Sequence, residues 1–204
     1  YGQIIPKEVL NLFSHDTLNI HPSLLPLWRG ASPIQSAILN GDKTTGVSIM
    51  RMTTSLDEGP IFLSKKLHID NKDNSKTLAE RLSTLAATML TTSLGKILEG
   101  KLQANNQNHN KATISEKIIK QDGKISWQKE AKNIDQHIRA YNPWPVAFTH
   151  IDGRYLRIWE AEVSIDKKTF NEPGAVIHCD EKGMLVSTGE GNLLIKKVQL
   201  EGKK

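Results

Sequence analysis

The densest chemistry in the sequence is Asn19-Ile20-His21-Pro22-Ser23-Leu24-Leu25-Pro26, followed by Trp28-Arg29-Gly30. An amide and an imidazole two residues apart on an extended segment leave the same face of it. Such a pair can donate hydrogen bonds to one oxygen. That suits acyl transfer, where negative charge develops on a carbonyl oxygen as the tetrahedral intermediate forms. Alone, Asn-x-His is more often a turn asparagine beside a strand-end histidine satisfied by backbone, because short motifs recur by chance. The second candidate element is Ser55-Leu56-Asp57-Glu58-Gly59-Pro60. Asp57 could reach back to orient His21 and favour its charged form. In isolation, Asp, Gly and Pro are ordinary loop residues.

These residues need elements to hold them. Up to about residue 102 the pattern alternates helix and strand, an α/β texture. Pro6–Leu12 opens with a proline that suits a first helical turn. Thr17–His21 is a short extended run ended by Pro22, which puts Asn19 and His21 at the carboxyl end of a strand, where open α/β sheets bind ligands. Ser32–Leu39 reads as a helix capped by Ser32, with Pro33 at its first position. Gly46–Met52 and Ile61–Ile69 read as strands flanking the Asp57 loop. Lys76–Glu99 carries an apolar stripe from Leu78 to Leu98 and stops at Gly100, the longest expected helix.

Gln103–Thr113 is almost wholly polar and has no period, so by composition it is a linker. Beyond it the texture changes. A helix is expected over Lys129–Tyr141. Short strands follow at Val146–Ile151, Tyr155–Val163, Ala175–Cys179, Met184–Thr188 and Leu193–Leu200, separated by turn signals such as Asp152-Gly153 and Pro173-Gly174. That spacing suggests a small closed β-barrel. The boundaries read as 1–102, 103–113 and 114–204.

Composition removes several classes. The chain has 204 residues, 38% hydrophobic and 24% charged, with a net charge of +5, the range of a globular protein. No run approaches the ~18 apolar residues of a membrane span. One cysteine, Cys179, excludes an intramolecular disulfide and a cysteine-based zinc site. It fits a reducing compartment, cytoplasm or an organellar matrix. Cys179 lies in a strand pattern and is expected in the core. No HExxH, EF-hand, GxGxxG or P-loop pattern occurs, so no metal and no phosphate loop is expected. The chain starts at Tyr1 with no charged-then-apolar leader, and reads as a piece of a longer protein.

Taken together, the ordered segments resemble the folate-dependent formyltransferase family. They are Asn19-x-His21-Pro22-Ser23-Leu24-Leu25-Pro26, Leu27-Trp28-Arg29-Gly30-Ala31-Ser32-Pro33-Ile34-Gln35, Gly41-Asp42, Thr45-Gly46-Val47-Ser48 and Leu56-Asp57-x-Gly59. Lys124-Ile125-Ser126-Trp127 and Ile138-Arg139-Ala140-Tyr141-Asn142-Pro143-Trp144-Pro145 resemble the carboxy-terminal domain of the family's tRNA-acting branch. The resemblance implies the later portion of a Rossmann-like catalytic domain, without its amino-terminal part, then an OB-like tRNA-binding domain. It implies transfer of a formyl group from 10-formyltetrahydrofolate to the α-amine of initiator methionyl-tRNA. Asn19 would bond the formyl oxygen, His21 would stabilise the oxyanion and handle protons, and Asp57 would position His21. Ser23, Leu24, Leu25 and Pro26 would help shape the folate site, with the pterin partly against Thr53–Asp57. The missing amino-terminal part implies that this piece alone is an incomplete enzyme.

Two rival readings stay open: a formyltransferase for a sugar-nucleotide amine, and a non-catalytic RNA-binding module. The second half offers Lys117, Lys120, Lys124, Lys129, Lys132, Arg139, Arg154, Arg157, Lys167, Lys168, Lys196 and Lys197. Gathered on one face they would track phosphates. Otherwise they form a solvated surface balanced by acids. Asn142-Pro143-Trp144-Pro145 reads as a rigid turn rather than a base-stacking site. His109, His137 and His150 show no ligand spacing.

Overall fold

A computed structural model describes residues 5–165 and 172–203; Lys167 and Lys168 lie outside them. The chain forms two compact units. The first comprises residues 1–37, 42–71 and 77–117, and the second 38–41, 72–76 and 118–204.

In the first unit α1 (Lys7–Leu10) is a single turn after Pro6. It is shorter than its apolar spacing suggested, because Leu12 and Phe13 are exposed and a short helix without packing is marginal in water. Strand β1 (Leu18–His21) is followed by the two-residue β2 (Arg29–Gly30), helix α2 (Pro33–Leu39), β3 (Thr44–Arg51), β4 (Ile61–His68), the long helix α3 (Ser75–Leu98) and β5 (Ile114–Ser115). The sheet order is β1-β3-β4. Both outer strands run antiparallel to β3, setting Asn19 opposite Met50 and His21 opposite Ser48. The central strand β3 is buried from Thr45 to Met50, as expected for a strand covered on both faces.

The polar stretch 103–113 does more than connect. Asn105 exchanges two backbone hydrogen bonds with Ile61, at 2.8 and 2.9 Å. Gln107 is buried. A 3₁₀ turn at His109–Lys111 is capped by the Asn108 side chain. β5 then pairs in parallel with β2.

The second unit packs α4 (Ala131–Ala140) with strands β6 (Ala147–Ile151), β7 (Arg154–Val163), β8 (Val176–Asp180), β9 (Gly183–Ser187) and β10 (Asn192–Leu200). The antiparallel order is β6-β7-β10-β9-β8. Asp152 and Gly153, at φ 50° and 75°, make the tight β6–β7 turn that positive dihedrals favour. Ile134 and Ile138, one helical turn apart, meet Ala147, Ile158, Val186, Leu193 and Ile195 in one core cluster. The expected closed barrel goes beyond this, since no pairing joins β6 to β8 among the described residues. Cys179 is exposed rather than in the core. It lies on β8, which among the described residues has only β9 as a neighbour, so strand alternation alone did not bury it. Among the described residues no helix is long and apolar enough to cross a membrane.

Candidate active site

Asn19 and His21 leave β1 on one face, and the Asp57 loop comes back to meet them. Asn19 Nδ2 donates to Asp57 Oδ1 at 3.1 Å. His21 Nδ1 lies 3.6 Å from Asp57 Oδ2. That second oxygen also accepts the Gly30 N–H at 2.9 Å. One carboxylate therefore meets an amide, an imidazole and a backbone donor. The side chains of His21 and Asp57 are 5% and 12% exposed, so the pair is shielded from bulk solvent.

His21 Nε2 lies 2.8 Å from the Trp28 carbonyl oxygen. A carbonyl can only accept, so Nε2 carries a hydrogen. Trp28 reaches this position at φ 58°. It is held there by its N–H on Thr113 Oγ1 and its indole N–H on Asp42 Oδ2, both 2.8 Å. Asp57 is also left-handed, at φ 52°.

The Ser23–Pro26 turn lies directly beyond His21. Ser23 Oγ donates to Leu27 O at 2.5 Å, and Ser23 and Leu25 are buried. Ser48 Oγ, on β3, accepts the Leu25 N–H at 3.1 Å and donates to Ser23 O at 2.8 Å. Leu24 lies against Gly46, where a Cβ would fall 2.5 Å from its Cδ2. The Leu25–Pro26 peptide is cis, and Pro26 O accepts the Thr113 N–H at 3.2 Å. Ser23 and Leu25 thus shape the turn from inside; Leu24 and Pro26 are half-buried.

A second layer surrounds this group. Arg29 is 2% exposed. Its Nη1 meets Glu58 Oε1 at 3.1 Å. Its Nε and Nη2 donate to Gln107 Oε1 at 3.1 and 2.8 Å. Gln107 Nε2 donates in turn to Asp57 O at 2.8 Å and Gly59 O at 2.7 Å. Gly30, at φ 110°, fits only without a side chain, because a Cβ would fall 2.4 Å from Ser115 O.

Residues 1–94 match the formyl transferase domain, and residues 117–204 match the formyl transferase C-terminal domain. The chain belongs to the formyl transferase family. The methionyl-tRNA formyltransferases of Coxiella burnetii and Hydrogenovibrio crunogenus are 44% and 45% identical to it, over the whole chain. The chain spans 65% of the length of each of those relatives. Among solved structures, an N-formyltransferase from Helicobacter canadensis, in complex with folinic acid and dTDP-3-aminofucose, superposes with a TM-score of 0.77. It is 19% identical, covering 97% of this chain and 71% of that one, a likeness of fold.

Sequence reasoning on this formyl transferase chain picked out Asn19, His21 and Asp57, which the structure brings together. It named Glu58 only as part of the Ser55–Pro60 element and missed Gln107 and Thr113 as neighbours of the site. No signal in the sequence points to these two: a buried guanidinium requires partners, but the burial of Arg29 shows only in the fold. Of the second half's cations, Lys196, Lys197 and Arg139 pair with Glu162, Glu160 and Asp135 at 2.8, 3.8 and 2.8 Å. The two lysines behave as a balanced surface, whereas Arg139 and Asp135 are half-buried. Trp144 is half exposed, and the Asn142 amide donates to Trp159 O at 3.0 Å, which pins that turn. Among the described residues no group of three His, Cys, Asp or Glu side chains is arranged to hold a metal.

Proposed function

We propose that the protein carrying this chain transfers a formyl group from 10-formyltetrahydrofolate to the α-amine of initiator methionyl-tRNA. The observation that supports this best is the convergence of the Asn19 amide and the His21 ring on the Asp57 carboxylate, at 3.1 and 3.6 Å, in a chain 44–45% identical to methionyl-tRNA formyltransferases. The folinic acid complex of the Helicobacter canadensis protein supports a folate donor.

The amine attacks the formyl carbon, a tetrahedral oxyanion forms, and its collapse breaks the bond from that carbon to N10. The amine loses a proton and N10 gains one, so the exchange balances. α-Amines have pKa values near ~8, leaving a reactive neutral fraction at neutral pH. No enzyme nucleophile is required. The chain's residues must hold amine and formyl carbon together and stabilise the transient oxyanion. Asn19 has one amide hydrogen on Asp57 and a second for that oxygen. The His21 Nε2–H rests on the Trp28 carbonyl at 2.8 Å and must leave it to reach that oxygen, and Asp57 lies beside both side chains. The Ser23–Pro26 turn and the loop Thr53–Asp57 shape the pterin's surroundings.

In the same proposal the first unit, which reaches through 103–117, belongs to a Rossmann-like catalytic domain, and 118–204 form an OB-like tRNA-binding domain. The test is formyl transfer by the full-length protein, with charged methionyl-tRNA and a dTDP-amino sugar compared as acceptors. Transfer to the tRNA alone is expected. Transfer to the amino sugar alone would assign the sugar-nucleotide reaction instead, and folate binding without transfer to either acceptor would remove the catalytic reading.

A further inference from the structure

The Asp57 loop is anchored by a residue 50 positions later, in a stretch whose composition suggests only a connector. Every polar capacity of the Gln107 amide is used. Its two Nε2 hydrogens go to the carbonyls of Asp57 and Gly59, at 2.8 and 2.7 Å. Its oxygen receives Nε and Nη2 of Arg29, at 3.1 and 2.8 Å. The orientation of the amide is unambiguous, because guanidinium groups only donate and carbonyls only accept. Arg29 is followed by Gly30, whose N–H donates to Asp57 Oδ2. Gln107 therefore ties the backbone of the carboxylate's loop to the segment that carries one of the carboxylate's own donors.

We infer that Gln107 is a positioning residue for formyl transfer: it fixes the Asp57 backbone so that one carboxylate reaches Asn19, His21 and Gly30 together. The inference rests on the reading of Asn19, His21 and Asp57 as the catalytic group. Asp57 has a left-handed backbone, φ 52°, which a non-glycine residue keeps only where its surroundings impose it. Gln107 holds that residue's carbonyl and the carbonyl two residues on.

The experiment uses Gln107→Glu and Gln107→Ala in the full-length protein, each alone and combined with Asp57→Ala. Gln107→Glu keeps an acceptor for the buried Arg29, so the second layer stays paired, but it sets carboxylate oxygens against two carbonyls. Each single variant is expected to lower kcat about tenfold to a hundredfold, since displacements near 1 Å can cost that much. KM for methionyl-tRNA and for the folate should stay within about threefold. In the Asp57→Ala background the same changes should cost less than about threefold, because no carboxylate remains to position.

A purely structural role predicts equal losses in both backgrounds. That result, or unchanged kcat in Gln107→Glu, would overturn the inference. If the unmodified protein formylates no acceptor, the functional reading fails instead, and the two failures are told apart by the parent enzyme alone.

Discussion

Replacing Asp57 by asparagine changes one oxygen into NH₂ and removes a charge, with almost no change of volume. Its consequences follow from the three groups around the carboxylate. Oδ1 accepts from Asn19, Oδ2 accepts from Gly30, and Oδ2 faces His21 Nδ1. An asparagine with its NH₂ at the Oδ2 position confronts the Gly30 N–H, a backbone donor that cannot turn away. With NH₂ at the Oδ1 position it confronts the Asn19 NH₂. Asn19 can relieve this only by flipping its own amide, which exchanges its donor and acceptor in the site. The second orientation costs less, because side-chain amides rotate and backbone amides do not.

Hydrogen bonds to a charged group contribute about 1.5–3 kcal/mol, against 0.5–1.5 for neutral ones. Losing the charge on two bonds therefore destabilises by roughly 1–3 kcal/mol. The catalytic loss is larger. Under the proposed roles, a misdirected Asn19 removes an oxyanion donor, worth about 10²–10³ in turnover, and leaves the His21 ring without its carboxylate neighbour. The assay is single-turnover formyl transfer to charged methionyl-tRNA by the full-length protein, alongside thermal unfolding. A fall in kcat of at least about a hundredfold is expected, with a variant that still unfolds cooperatively. Turnover within about threefold of the parent would refute the reasoning, because the geometry leaves asparagine no equivalent arrangement.

Asn19→Ala and His21→Ala should each lower kcat by about 10²–10³, measured in the same single-turnover assay, and near-normal rates would withdraw that residue's role. Gly30→Ala places a methyl 2.4 Å from Ser115 O at φ 110°; a loss of about 1–3 kcal/mol in urea denaturation is expected, together with slower transfer. Burial pushes the His137 ring below its ordinary value of 6.5, Lys129 adding to the fall while the Gly123 carbonyl and Asp122 oppose it. The folded ring thus stays neutral where the unfolded one is protonated, so stability falls as pH drops from about 6.5 toward the folded value. His137→Gln should lose that component, and the difference in unfolding midpoint between parent and variant should shrink between pH 7.5 and 5.5. A difference that stays constant would show the ring titrates alike in both states.

Much of the scaffold is legible because local rules decide it. The pattern of β3 and the stripe of α3 follow from burial alone, and Asp152-Gly153 announces its turn. Asn19 and His21 are legible as a pair on one face of a strand, and Asp57 as a loop carboxylate able to reach back to them. The expected core position of Cys179 failed because alternation reports which residues share a face, and an edge strand leaves both faces short of neighbours. The end of α1 was misjudged for a related reason: apolar spacing extends a helix only if something packs on it, and Leu12 and Phe13 remain exposed. Gln107 was invisible. Its side chain bonds backbone carbonyls and a distant arginine, and neither leaves a periodic or compositional trace.

Backbone strain links these observations. Among the described residues four non-glycine positions have positive φ, and two of them, Trp28 and Asp57, supply the partners of His21. Each such residue costs of order 1–3 kcal/mol, so each needs bonds that a relaxed backbone would not make. For Trp28 those bonds come from Asp42 and Thr113; for Asp57 they come from Asn19, Gly30 and Gln107. The site residues and the residues that hold their backbone are therefore separated by 50 positions or more wherever segment 105–115 is involved. A relaxed Trp28 would turn its carbonyl away from His21 Nε2, and a relaxed Asp57 would swing its carboxylate off Nδ1. Strain at the two places that fix both ring nitrogens is what makes the orientation of His21 depend on a stretch of chain that carries no reactive group of its own.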